Sequence, residues 1–151
     1  MIMTRSEQEE IKMNKSVIAV VAIIAILLVG IYNGYNYYNG PKIVNGVISG
    51  SVDGKGKPID FTNEFSLGDT VYFSAEVNRF WIKEAKVIWY KDQVKTSNRL
   101  HVEENIVLND AGYFTAKLTI PDDAKEGRYM VTIFVKGSPI SETTAEFYVK
   151  K

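Results

Sequence analysis

Between Ser16 and Pro41 the chain carries no charged residue over a window of 26 positions, and within residues 17–31 every residue except Gly30 is apolar. A helix that is apolar on all faces has no side to offer water, so the run excludes an ordinary surface helix and points to lipid. Its 15 residues at about 1.5 Å each span roughly 22 Å, short of the ~30 Å of a hydrocarbon core. Ser16 and the uncharged stretch 32–38, with four tyrosines, extend it. Tyrosine suits the membrane–water interface, where ring and hydroxyl are both satisfied. Residues 16–38 are therefore expected to be a transmembrane signal-anchor in contact with membrane lipid, with a stalk at 39–42 and a short cytoplasmic N-terminus at 1–15.

A cleaved export signal is the competing reading, because such signals carry apolar runs of this length. Cleavage wants small residues at −3 and −1. Gly30 follows Leu28 by two positions and Gly34 follows Tyr32 in the same way, so neither makes a good site. Met13-Asn14-Lys15 resembles an export n-region, which makes Met13 a candidate start. A pilin-like N-terminus is a minor rival and lacks the Gly cleavage site followed by Glu. Arg5, Lys12 and Lys15 precede the span, whereas residues 32–51 offer only Lys42. The positive-inside rule then places the N-terminus in the cytoplasm and residues 43–151 outside.

After Asn39-Gly40-Pro41 the pattern changes to short runs with period two, which assigns alternate side chains to opposite faces of a sheet. Val71, Phe73, Ala75 and Val77 share one face, as do Val87 and Trp89, and Phe114, Ala116, Leu118 and Ile120. Tyr129, Val131, Ile133 and Val135 follow, then Ala145, Phe147 and Val149. Runs at 43–52, 93–96 and 100–108 are weaker. Asp53-Gly54-Lys55-Gly56, Leu67-Gly68-Asp69, Asn109-Asp110-Ala111-Gly112 and Gly137-Ser138-Pro139 supply turns. About seven strands with frequent turns and no further helical period predict an all-β, antiparallel β-sandwich.

Phe65-Ser66-Leu67-Gly68-Asp69-Thr70-Val71-Tyr72-Phe73 resembles the approach to strand B of bacterial and archaeal immunoglobulin-like domains. Val87-Ile88-Trp89-Tyr90 is similar to their strand C with its core Trp, and residues 120–131 to their E–F corner and strand F. The resemblance covers roughly residues 44–150. It implies a Tyr129 hydroxyl bonded back to backbone, with Val131 in the position of the second Cys and Ala75 facing it. With no Cys in the chain, such a core has to hold by packing, with Phe73, Trp89, Phe114 and Tyr129 as its bulk. The fold hosts many unrelated roles, so it assigns none.

Zero Cys also excludes a thiolate metal site and a Cys nucleophile. The only His, His101, stands near Glu103 and Glu104 on an expected mid-sheet strand, with no second His and no Gly-x-Ser-x-Gly in support. Asp122, Asp123 and Glu126 match no repeated cation-ligand spacing and read as turn residues. From Pro41 onward 15 Lys/Arg balance 15 Asp/Glu without a basic run of any length, which argues against nucleic acid. Gly54-Lys55-Gly56-Lys57 lacks the spacing of a phosphate loop.

The stretch Arg79-Phe80-Trp81-Ile82-Lys83 falls where a polar connection is expected. Arg79, Phe80, Trp81 and Ile82 are the candidate partner-binding residues, since loops commonly carry binding and exposed aromatics anchor partners. The competing reading is a plug that folds Phe80 and Trp81 back over the open end of the sandwich. The leading expectation is a non-enzymatic, membrane-anchored module without cofactor or metal that binds a protein partner outside the membrane. A carbohydrate-binding module docking on cell-wall or surface glycan is the alternative.

Overall fold

The computed structural model describes residues 5–151, with side chains from Asn14 onward. Residues 1–4, Met13 as a candidate start, and the side chains of Arg5 and Lys12 lie outside the described residues. The chain is mostly β, with two sheets and one N-terminal apolar helix. It divides into two units, 1–40 and 41–151.

The helix, α1 (Arg5–Asn39), contains a stretch Asn14–Asn39 of 26 residues that is long and apolar enough to cross a membrane. At 1.5 Å per residue this stretch measures about 39 Å, so the tyrosine-rich segment supplies the length that the apolar run lacks. Every side chain from Asn14 to Asn39 is exposed. The helix passes through Gly30 and Gly34 without interruption. It stops where Asn39 Nδ2 caps the Tyr35 carbonyl at 2.9 Å and Gly40 N donates to Asn36 O at 2.7 Å. Pro41 follows, and the residue before a proline is disfavoured in helical conformation.

The second unit holds nine strands rather than the expected seven or so. They are β1 (Ile43–Val52), β2 (Pro58–Phe61), β3 (Glu64–Ser66), β4 (Thr70–Val77), β5 (Glu84–Lys91), β6 (Arg99–Val107), β7 (Tyr113–Thr119), β8 (Gly127–Val135) and β9 (Ser141–Lys150). The run 93–96 is not a strand. Backbone turns close at Gln93 and Lys95 and lead into a 3-10 turn, Thr96–Asn98. One sheet has the order β2-β1-β4-β7 and the other β3-β9-β8-β5-β6. All pairings are antiparallel except β3 with β9, which is parallel.

Phe73, Ala75, Phe114 and Ala116 of the first sheet and Trp89, Val131, Ile133 and Phe147 of the second build one core, each at most 2% exposed. Phe147 is its hub. It stacks on Tyr129 at 5.4 Å and meets the edges of Trp89 at 6.0 Å and Phe65 at 5.7 Å. On the outer face of the second sheet Ile88, Tyr90 and Thr132 are also buried, so β5 and β8 are covered on both faces at their centre. Buried hydroxyls are satisfied: Thr132 Oγ1 donates to Thr143 O at 3.1 Å, and Ser74 shares a hydrogen bond with Thr115 at 3.2 Å.

Register fixes the two ends of this domain. Ile43 pairs with Val77 and Ala85 with Val135, so Pro41, loop 78–83 and loop 136–140 lie at one end. Thr70 pairs with Thr119 and Lys91 with Tyr129, which puts residues 91–98 and 120–126 at the other.

Candidate functional site

Loop 78–83 divides its side chains between inside and outside. Arg79 and Ile82 are 6% and 7% exposed, and a tight turn from Ile82 N to Arg79 O (3.1 Å) folds them in. Arg79 Nη1 donates to the Asn78 carbonyl at 2.7 Å. Phe80 is 78% exposed and Trp81 37%, in edge-to-face contact at 5.1 Å. Of the four candidate residues, only this aromatic pair is exposed to solvent. Ile82, rather than Phe80, does the plugging.

A second feature lies at the far end, where the two sheets part. A cleft of about 670 Å³ opens between edge strands β6 and β7. Leu100, Leu118, Ile120 and Tyr129 supply its apolar lining, and Lys91, Lys117, Lys125 and His101 its polar one. Lys91 is committed: it pairs with Asp92 at 2.9 Å, donates to Arg128 O at 3.1 Å and sits 4.7 Å from the centre of the Tyr129 ring. Among the described residues Lys117 and Lys125 form no ion pair.

Glu103 joins the two edge strands next to the lining residue Lys117. Its Oε1 accepts both the indole N–H of buried Trp89 (3.3 Å) and the backbone N–H of Lys117 (3.2 Å). One carboxylate thus satisfies the core Trp and ties β6 across to β7. Tyr129 Oη donates to the Lys125 carbonyl at 2.6 Å, which holds the loop bearing Lys125. Burial first, and the Asp92 charge second, push the Tyr129 phenol above its ordinary range.

The remaining sequence candidates take structural places. His101 is on β6, an edge strand and not a mid-sheet one, because the chain leaves β6 for the other sheet. Among the described residues it hydrogen-bonds to no side chain. Asp122 and Asp123 lie in the loop between β7 and β8, where Ala124 N donates to Pro121 O at 3.0 Å in a turn. Phe73, Trp89, Phe114, Tyr129 and Val131 are all in the core. Sequence reasoning missed the cleft, whose lining comes from four separate segments between positions 91 and 129 with no motif to join them. It also missed Glu103 as the link between sheets.

No family model matches the chain, and no curated protein is similar to it in sequence. Among solved structures, the PmoD soluble domain from Methylocystis sp. ATCC 49242 (Rockwell) aligns with a TM-score of 0.45 at 11% identity, covering 74% of this chain and 94% of that one. The Pseudomonas fluorescens alkylpurine DNA glycosylase AlkC aligns at 0.41 and 18% identity, over 73% of this chain and 30% of that one. An AA10 lytic polysaccharide monooxygenase from Streptomyces lividans aligns at 0.38 and 12%, over 68% and 65%. At that level of likeness they assign neither family nor activity.

Proposed function

We propose that the chain is a membrane-anchored, non-enzymatic interaction module. An immunoglobulin-like domain is held outside the cytoplasmic membrane by α1, with the N-terminus inside, and takes a protein partner into the cleft between β6 and β7. The immunoglobulin-like reading is supported by the strand order, by Trp89 packed in the core beside Phe147, and by the Tyr129 hydroxyl bonded four residues back. That last bond is the one the sequence resemblance implies.

The observation that carries the functional reading is an apolar cleft with two uncommitted lysines, flanked by open strand edges. Edge strands bind extended polypeptide through their backbone, and a neighbouring pocket selects side chains. The fitting partner is an extended segment with an apolar side chain for Leu100 and Leu118 and a carboxylate for Lys117 or Lys125. Anchoring confines the domain near the bilayer and raises its effective concentration for partners there.

A photo-crosslinking residue at Leu100 in the full chain, in its native membrane, tests this. A discrete protein adduct is expected from Leu100, absent from the same probe at Tyr72 and lost in Lys117→Glu/Lys125→Glu. Identical adducts from both positions would overturn the cleft as the binding site.

A further inference from the structure

We infer that the end of the β domain carrying Pro41 rests on the phospholipid surface, with Phe80, Trp81 and Ile140 among the headgroups and Lys42 and Lys83 facing lipid phosphates. The inference rests on the membrane-anchor reading of α1 and adds a second, non-covalent contact to it.

Eight large hydrophobic side chains of the β domain are exposed. Four of them lie at this one end: Phe80 and Trp81 on loop 78–83, Ile140 on loop 136–140, and Val107 at the last position of β6. The backbone ties these segments together: Asn78 N donates to Lys42 O at 2.8 Å, Leu108 N to Lys83 O at 3.3 Å and Lys136 N to Glu84 O at 3.2 Å. Asn78 Nδ2 also donates to Pro41 O at 3.0 Å. The aromatic loop is thus pinned to the first two residues of the domain. From Asn39, the last helical residue, to Lys42 is three peptide steps, roughly 11 Å of chain at most. The loop bound to Pro41 and Lys42 is therefore tethered within that length of chain to the last residue of α1.

Side-chain chemistry agrees with that location. Trp and Phe with neighbouring cations are what interfacial contact uses, the ring among headgroups and the ammonium on phosphate. The acids at this end are largely engaged: Glu84 pairs with Lys136, and Glu142 accepts the backbone N–H of Lys42 at 2.7 Å. Asp110 is the remaining carboxylate. Among the described residues Lys42 and Lys83 form no ion pair. A partner outside the membrane then has the far end of the domain, where the cleft lies, for its approach.

The chain carries its own reporter. Trp89 is fully buried, so a quencher attached to lipid near the headgroup reads Trp81 alone. The full chain is reconstituted in phosphatidylethanolamine–phosphatidylglycerol vesicles with a fraction of such lipid, and its resistance to alkaline carbonate is measured in parallel. Strong quenching that disappears in Trp81→Phe, and that falls severalfold in Phe80→Ser/Ile140→Asn/Lys83→Glu with Trp81 kept, supports the inference. A carbonate-resistant chain whose Trp81 is quenched by aqueous acrylamide and not by lipid overturns the docking and leaves the anchor standing. Extraction by carbonate overturns the anchor, and the docking with it. Shielding of Trp81 by added wall polysaccharide, without lipid quenching, overturns the inference in favour of glycan.

Discussion

Tyr129 stands where packing, hydrogen bonding and titration meet. Its ring stacks on Phe147, its hydroxyl donates to Lys125 O at 2.6 Å, and burial followed by the Asp92 charge raises its phenol. A phenol raised by the fold is held neutral there. Its stabilisation is complete below the unfolded value of about 10 and is lost as pH rises through the folded value. Tyr113 behaves alike, raised chiefly by the hydrogen bond it donates to Glu76 at 3.0 Å. That bond and one from Asn45, the larger cause, lower the Glu76 carboxyl. Its share is present above the ordinary carboxylate value and is lost as pH falls through the lowered one. The domain is therefore expected to weaken above about pH 10. Tyr129→Phe should remove part of that alkaline loss and cost about 1 kcal/mol at neutral pH for the missing hydrogen bond. Urea unfolding of the micelle-bound chain on both sides of this pH, followed by circular dichroism, checks both effects. A variant with unchanged alkaline loss would assign the titration to Tyr113.

At the scale of elements, β1 shows how two sheets are brought together on one strand. The pairing of β1 with β4 shifts by one residue between Val44 and Val47, with Asn45 at φ 55. A Cβ at Gly46 would come within 2.9 Å of the Phe73 ring in one sheet and 3.1 Å of Thr143 Cγ2 in the other. Gly46→Val should therefore destabilise the domain by about 1–3 kcal/mol through overpacking. Gly54→Ala, at a position with open space around it, should change little. Thermal unfolding of the two variants separates them, and equal midpoints would mean that β1 yields. The longer strands β4, β7, β8 and β9 were legible from sequence because in each the core-facing apolar residues recur at every second position. β2 and β3, at four and three residues, are too short to show a period. A single strand's pattern also cannot say whether its far edge is paired. His101 was read as mid-sheet for that reason, although Arg99, Glu103 and Glu104 along β6 carried the edge signal in their charge. The aromatic loop was legible by composition alone, and the inward turn of Arg79 and Ile82 was not, because no period governs a loop.

At the scale of the whole chain, the proposed anchoring by α1 raises a question that neither unit answers alone, namely which side of the membrane the β domain would occupy. Three cations precede the apolar run and one follows it within residues 32–51. Glu7, Glu9 and Glu10 count for little, because the orienting bias comes from Lys and Arg. The absence of Cys makes the test direct, since any thiol introduced is the only one in the molecule. Gly54→Cys puts a thiol on an exposed turn of the β domain, and Ser6→Cys puts one before the span. A membrane-impermeant maleimide applied to intact cells should label Gly54→Cys at once and Ser6→Cys only after permeabilisation. The reverse pattern would overturn the orientation, and with it the partner outside the membrane. Replacing Arg5, Lys12 and Lys15 together with Gln should shift labelling towards a mixture, because the charge bias is then removed while the apolar span is untouched. The same gels distinguish anchor from cleaved signal. Label at Ser6→Cys must migrate with the β domain if the helix is retained, and on a separate short peptide if it is cut.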